Sequence, residues 1–161
     1  MNTIICYASK TGTTKHCAEK LKTLLHSAEL CDLTKERPDI AAYDCIIIGG
    51  SIRMGHLHKR AKKFIEKNKE LLLQKKIAFF ICNGFIEQAE TFLLQNIDKL
   101  LLEHAICAAS FGGELDFTRM KGLDKFVAKA VSNSIQNQPE AQPKVNERSI
   151  EEFAKVLLET E

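Results

Sequence analysis

No apolar run in the 161 residues reaches membrane-spanning length, and no two of the six cysteines form a C-x-x-C pair. The first absence argues against a membrane-spanning chain. The second argues against a disulfide or metal framework and leaves Cys6, Cys45, Cys82 and Cys107 as reduced core residues of predicted strands, with Cys17 on a helix face. Charge of one sign is lacking too. The net charge of +2 is too small to imply nucleic-acid binding and has the wrong sign for an acidic electron carrier. His16, His26, His56, His58 and His104 stand at no metal-ligand spacing with cysteine, so no metal is expected, and no serine sits in a nucleophile elbow. Met1, Asn2 and Thr3 carry no cationic region and the next apolar run is too short for a signal peptide, so a cytoplasmic protein is expected. With 45% hydrophobic and 27% charged residues, the composition suits one domain over residues 1–161 that buries its core without staples.

What is present is an alternation of strand and helix patterns, the mark of a parallel sheet covered on both faces. Residues 4–8 form a short apolar run. A helix over 14–27 buries Cys17, Ala18, Leu21, Leu24 and Leu25 at helical spacing. A second strand is predicted near 28–33, a turn at 35–38, and a third, fully apolar strand at 45–50 that runs into glycine. The pattern then predicts a helix over 57–73, a strand over 77–82, a helix over 87–103 with Ala89, Phe92, Leu93, Ile97, Leu100 and Leu101 inward, and a fifth strand over 105–111. A further helix is expected over 123–131, a loop over 132–145, and a closing helix over 146–158 capped by Asn146. Lys59, Arg60, Lys62, Lys63, Lys67 and Lys69 are read as a solvated helix face, with a weak contact to an anionic membrane or acidic partner as the lesser reading.

The first strand breaks into Ser9, Lys10, Thr11, Gly12, Thr13 and Thr14 just before a helix. The first amides of a helix have no intrahelical partner, so these hydroxyls and amides can wrap a phosphate; the plainer reading is that they cap the helix. The loop has neither the P-loop lysine nor a G-x-G-x-x-G spacing, which points to a monophosphate rather than a triphosphate or pyrophosphate. Five parallel strands also admit a phosphoacceptor receiver, but that domain needs an acidic cluster after strand one and a lone aspartate after strand three, where Ser9 and Gly49–Gly50 stand. In a doubly wound sheet of order 2-1-3-4-5 the ligand sits where strands one and three diverge, outside their carboxyl ends. Those ends are residues 9–14 and 50–56.

The run Tyr7-Ala-Ser-Lys-Thr-Gly-Thr-Thr14 resembles the flavodoxin phosphate loop, and Gly49-Gly-Ser-Ile-Arg-Met-Gly-His-Leu-His58 is similar to the ring-binding loop of the menaquinone-dependent protoporphyrinogen dehydrogenases, the short flavodoxin-like branch. The resemblance extends through Phe111-Gly-Gly113 and Asp124 to Phe126. Two segments depart from it: 83–92 is shorter and less basic than the branch's substrate loop, and the aromatic, basic run after strand five is reduced to 115–119. The resemblance implies a flavodoxin-like FMN-binding domain in which Ser9, Lys10, Thr11, Gly12, Thr13 and Thr14 hold the phosphate. Ser51, Ile52, Arg53, Met54, Gly55 and His56 would flank the ring, and Asn83, Gly84, Phe85, Gly112 and Gly113 would close its other side. Arg53 is read either as the cation that stabilises the charged ring or as a loop arginine paired with a carboxylate. His56 is either a proton donor or the start of the next helix. Phe85 either stacks or belongs to the core, and no tryptophan or tyrosine stands in any of these loops. The implied function is that of an oxidoreductase working with a small-molecule or quinone partner; the alternatives are a one-electron carrier docking on proteins and a module that has lost FMN.

Overall fold

The central strands are continuous apolar runs because both of their faces are covered, and the structure, a computed structural model describing residues 1–113 and 144–160, shows what covers them. In chain order, β1 (Thr3–Ala8) leads through residues 9–12 to α1 (Thr13–Leu25), β2 (Glu29–Asp32) and a 3-10 turn (Ile40–Ala42). Next come β3 (Cys45–Arg53), β4 (His56–Leu57), α2 (Lys59–Lys67), α3 (Lys69–Leu72) and β5 (Lys76–Cys82). A second 3-10 turn (Ile86–Gln88), α4 (Ala89–Asn96), α5 (Lys99–His104), β6 (Cys107–Ser110) and α6 (Glu147–Leu158) complete the described elements. The sheet order is β2-β1-β3-β5-β6, all parallel, with β4 antiparallel to β3. Counting only the parallel strands, this is the expected order 2-1-3-4-5.

Alternate residues of each strand supply two cores. Ile4, Cys6, Ile46, Ile48, Phe79 and Ile81 face α2, α4 and α5, where Phe64, Ile65, Leu93 and Leu101 meet them. Ile5, Ile47, Ala78 and Phe80 face α1 and α6 and meet Leu21, Leu25, Ile150 and Phe153. On that second face Phe80 stacks on Phe111 with centroids 4.7 Å apart, and Phe153 sits edge-on to Phe111 at 5.2 Å. Asn146 caps α6 as expected, its Oδ1 accepting from the Ser149 amide at 3.1 Å, and Ile150, Phe153, Ala154 and Leu157 are buried beneath it.

Several expectations need correction. The helix predicted over 57–73 is two, because Asn68 closes α2: its amide and its Nδ2 both donate to Phe64 O, at 3.1 and 2.8 Å. The helix predicted over 87–103 also divides, and Asp98 starts α5 by accepting from the Leu100 amide at 2.9 Å. The division turns Leu100 out to solvent, where it is exposed rather than inward. β3 runs three residues past the predicted end at Gly50, and β6 is shorter than predicted at both ends. Leu24 is half-buried.

No cysteine forms a disulfide among the described residues, and all are buried except Cys107, which is half-buried. They are also less isolated than the sequence suggests: Cys6 lies opposite Cys31 in the β1–β2 register. The expected helix over 123–131, residues 115–119, Asp124 to Phe126 and most of the 132–145 loop lie outside the described residues. Val145, at the end of that loop, pairs antiparallel with Gly112.

Gly49 is where this packing is least tolerant. A Cβ there would fall inside the Phe80 ring, which is itself held by Phe111. Gly49→Ala should therefore cost about 1–3 kcal/mol as an overpacked core site; a urea denaturation midpoint equal to that of the parent chain would show that the Phe80 ring moves aside freely.

Candidate functional site

Strand register gathers the predicted loops along one edge of the sheet. Ala8 lies opposite Gly50 and Ser51 opposite Cys82, so residues 9–12, the end of β3 and residues 83–85 leave the carboxyl ends of three adjacent strands. The fourth loop is tied to the third by hydrogen bonds. Asn83, buried, donates its amide to Gly112 O at 3.0 Å, while its Oδ1 accepts from Ser110 Oγ at 2.6 Å. Gly113 packs so near the Asn83 carbonyl that a Cβ would come within 3.1 Å, and a Cβ on Gly112, at φ +73, would meet the Lys144 carbonyl. These two glycines thus have a packing reason of their own.

The loop after β1 is shaped as an anion cradle. Gly12 takes a left-handed conformation, φ 98, and its amide donates to Ser9 Oγ at 3.0 Å, which folds residues 9–12 back over the start of α1. No side chain caps α1, so the simple capping reading is not what the hydroxyls do. The first-turn amides of Thr13 and Thr14 have no intrahelical acceptor. Thr13 is buried, and the Thr14 hydroxyl oxygen is buried with no hydrogen-bond partner among the described residues. That hydroxyl lies close enough to the Cys82 thiol to favour its thiolate, but the hydrogen bond to Cys17 and burial outweigh it and push Cys82 well above its ordinary range. An orphaned buried hydroxyl in a cradle of first-turn amides fits a phosphate, which supplies the missing partners.

The second loop is not a loop. β3 continues to Arg53, turns through Met54 and Gly55 at φ 50 and φ 80, and returns as β4, pairing Ile52 with Leu57 and Arg53 with His56. Two successive positive φ values make this a tight two-residue hairpin whose twist matches its strands. Met54, at its tip, is 78% exposed. His56 therefore does not start the next helix, as one reading of the sequence had it; it stands exposed across from Arg53. Phe85 is half-buried, outside the core.

Three contributors were missed in the sequence. Asn96, on α4, clamps the hairpin: its Oδ1 accepts from the Leu57 amide at 2.8 Å and its Nδ2 donates to Gly55 O at 2.8 Å. Ser110 joins the third and fourth loops through Asn83, and its Oγ also accepts from the Gly112 amide at 3.1 Å. His58 anchors the base of the hairpin by donating its amide to Ser51 O at 2.8 Å, and its Nδ1 caps α2 by accepting from the Arg60 amide at 3.1 Å. Burial, and then the positive charges of Lys10, Arg53 and Arg60, hold the His58 pKa below its ordinary value. This edge is therefore cationic. Only His58 carried a sequence signal, standing immediately before a helical run; Asn96 and Ser110 act across about 40 and 27 residues.

Asn96→Ala leaves the Leu57 amide and the Gly55 carbonyl without their partner. The expected cost is about 1–3 kcal/mol of stability, together with faster amide hydrogen exchange at Leu57 and unchanged exchange in β1. Uniform acceleration across the sheet would instead show that Asn96 supports the whole fold and not the hairpin.

Comparison with known proteins agrees with this geometry. A family model described as a flavodoxin domain matches residues 4–142. The chain is 28% identical over 143 residues to the protoporphyrinogen IX dehydrogenase (quinone) of Escherichia coli strain K12, a match that covers 81% of this chain and 78% of that protein. Among solved structures, the flavodoxin, WrbA-like protein from Agrobacterium tumefaciens superposes with a TM-score of 0.53 at 22% identity, covering 84% of this chain and 95% of the other. A flavoprotein in complex with FMN from Lactobacillus acidophilus NCFM gives a TM-score of 0.51 at 19% identity over 68% of this chain and 92% of that one. With a sheet of order 2-1-3-4-5, a phosphate-type cradle after β1 and a family match over most of its length, the chain belongs to the flavodoxin domain family.

Proposed function

We propose that this protein is an FMN-dependent oxidoreductase that passes electrons between a small organic substrate and a quinone or other small-molecule acceptor. The observation that carries the proposal is the cradle of residues 9–14, with its left-handed Gly12, uncapped helix start and orphaned Thr14 hydroxyl, beside a hairpin that ends in a cation. The relative named as a quinone-dependent dehydrogenase supports the reaction class, and the neighbour solved with FMN supports the cofactor. FMN, when bound, supplies reversible electron and proton transfer.

Ser9, Lys10, Thr11, Gly12, Thr13 and Thr14 hold the phosphate end, by hydroxyls, amides and one lysine. Ser51, Ile52, Arg53, Met54 and Gly55 present the hairpin to one side of the ring, and Asn83, Gly84, Phe85, Gly112 and Gly113 bound the other. Arg53 supplies positive charge where negative charge develops, and the exposed His56 opposite it is placed to exchange a proton with solvent. The cations at this edge favour an anionic small molecule over a protein partner that seeks an acidic face.

Reconstitution with FMN and with FAD tests the cofactor. FMN should bind and FAD should bind far more weakly, because the cradle has no second phosphate site; equal binding, or none, would overturn the proposal. A Thr11→Ala and Thr13→Ala double variant should weaken FMN by about 2 kcal/mol, since each hydroxyl removed is a charge-assisted donor.

Arg53→Ala should lower the two-electron potential by about 30 mV, equivalent to about 1.4 kcal/mol, while oxidised FMN binds as before. Loss of oxidised FMN with an unchanged potential would make Arg53 a binding residue only.

A further inference from the structure

On the α2 side of the sheet, between that helix and the segment after β2, lies a cavity of about 220 Å³ that the flavin site does not use. Its charged lining is all of one sign: Arg37, Arg60, Lys63 and Lys67. Leu33, Pro38 and Phe64 supply an apolar floor. We propose that this cavity binds a small organic polyanion, a phosphate ester or a polycarboxylate, with its charges on the four cations and a short apolar body on Phe64 and Pro38.

Two local relations of these cations are unfavourable, although Lys67, in the last turn of α2, suits the negative end of the helix dipole. Arg60, Lys63 and Lys67 follow one another at i, i+3 and i+7 down one stripe of α2, where like charges three and four residues apart repel. The first turn of α2 contains no acidic residue, so Arg60 also faces the positive end of the helix dipole. Glu66, the sole carboxylate within α2, does not line the cavity.

Lys15, Lys20, Lys35, Lys69, Lys99, Arg148 and Lys155 each pair with a carboxylate. Among the described residues none of the four cavity cations does, and neither do Lys22, Lys59, Lys62, Lys75 and Lys76; what sets the four apart is that they converge on one cavity. Asp32, the nearest acid along the chain before Leu33, is occupied by the Thr34 amide and hydroxyl and by Lys35. Arg37 is moreover held in place, its Nη1 donating to Leu33 O at 2.8 Å and Glu36 O at 2.7 Å. Like-charge crowding and a cation at the positive end of a helix meet at one cavity beside a held guanidinium, and a polyanion seated there would offset both.

The test is amide chemical-shift titration of the isotopically labelled, FMN-saturated protein with phenyl phosphate, inorganic phosphate and benzylsuccinate. Saturable shifts centred on residues 33–38 and 60–68 are expected, with phenyl phosphate binding at least tenfold tighter than inorganic phosphate. Phenyl phosphate alone binding would assign the site to phosphate esters, and benzylsuccinate alone would assign it to polycarboxylates. A Lys63→Gln/Lys67→Gln variant, altered only at exposed positions, should lose at least tenfold in affinity, and Lys63→Arg/Lys67→Arg should keep it. Arg37→Gln should weaken binding severalfold as an independent check. Shifts centred on residues 9–14, absence of saturation, equal binding of inorganic phosphate, or an equal loss in the remote variant Lys22→Gln would each overturn the proposal.

Discussion

Burial of both faces of β1, β3 and β5 is the constraint on which the remaining structure depends. Ile46, Ile47 and Ile48 in sequence, and Ala78, Phe79, Phe80 and Ile81 beside them, offer no side that tolerates water, so helices must cover each face. α2, α4 and α5 take one face while α1 and α6 take the other. Once the strands are parallel and covered in this way, every connection from strand to helix leaves the same edge. The cradle, the hairpin and the two later loops become neighbours by register alone.

Local backbone geometry then refines that edge. The hairpin of β3 and β4 extends the third strand beyond the sheet and is fixed by side-chain hydrogen bonds from Asn96 and by the backbone of His58. Gly50 permits the return strand to fold down, since a Cβ there would come within 2.7 Å of Leu57. The 83–85 loop is tied to the segment after β6 by the Ser110 hydroxyl donating to Asn83 Oδ1 and the Asn83 amide donating to Gly112 O. Hydrogen bonds of this kind within and between loops are the sort that lower the ordering cost of binding at a site.

Electrostatics act on the same edge at two ranges. Near the hairpin, burial and then the positive charges of Lys10, Arg53 and Arg60 hold the His58 pKa below its ordinary value, so the charged imidazole is disfavoured there. Farther along α2, the positive stripe continues past Arg60 into the cavity by Arg37. The overall charge of +2 conceals this, because it sums cations and carboxylates over the whole chain, including local pairs such as Lys15–Glu19, Lys99–Glu103, Arg148–Glu152 and Lys155–Glu159. It is the distribution that recruits an anion, and net charge is a poor guide to it.

The sequence by itself determined the α/β class, most of the core and the position of the hydroxyl-rich loop before α1, because each rests on short-range pattern: continuous apolar runs, helical spacing and a hydroxyl-rich break before a helix; it led to the strand order through the fold class that alternating strands and helices imply. It misplaced the helix breaks at Asn68 and Asp98, although both are residues that cap. It also treated 50–56 as a loop, when pairing between Ile52 and Leu57 was needed to make it a hairpin. Asn96 and Ser110, the pairing of Cys6 with Cys31, and the meeting of Arg37 with α2 were decided only by tertiary structure. The physical reason is the same in each instance: these contacts join groups tens of residues apart, and no periodicity within one element encodes which distant amide or charge it will meet.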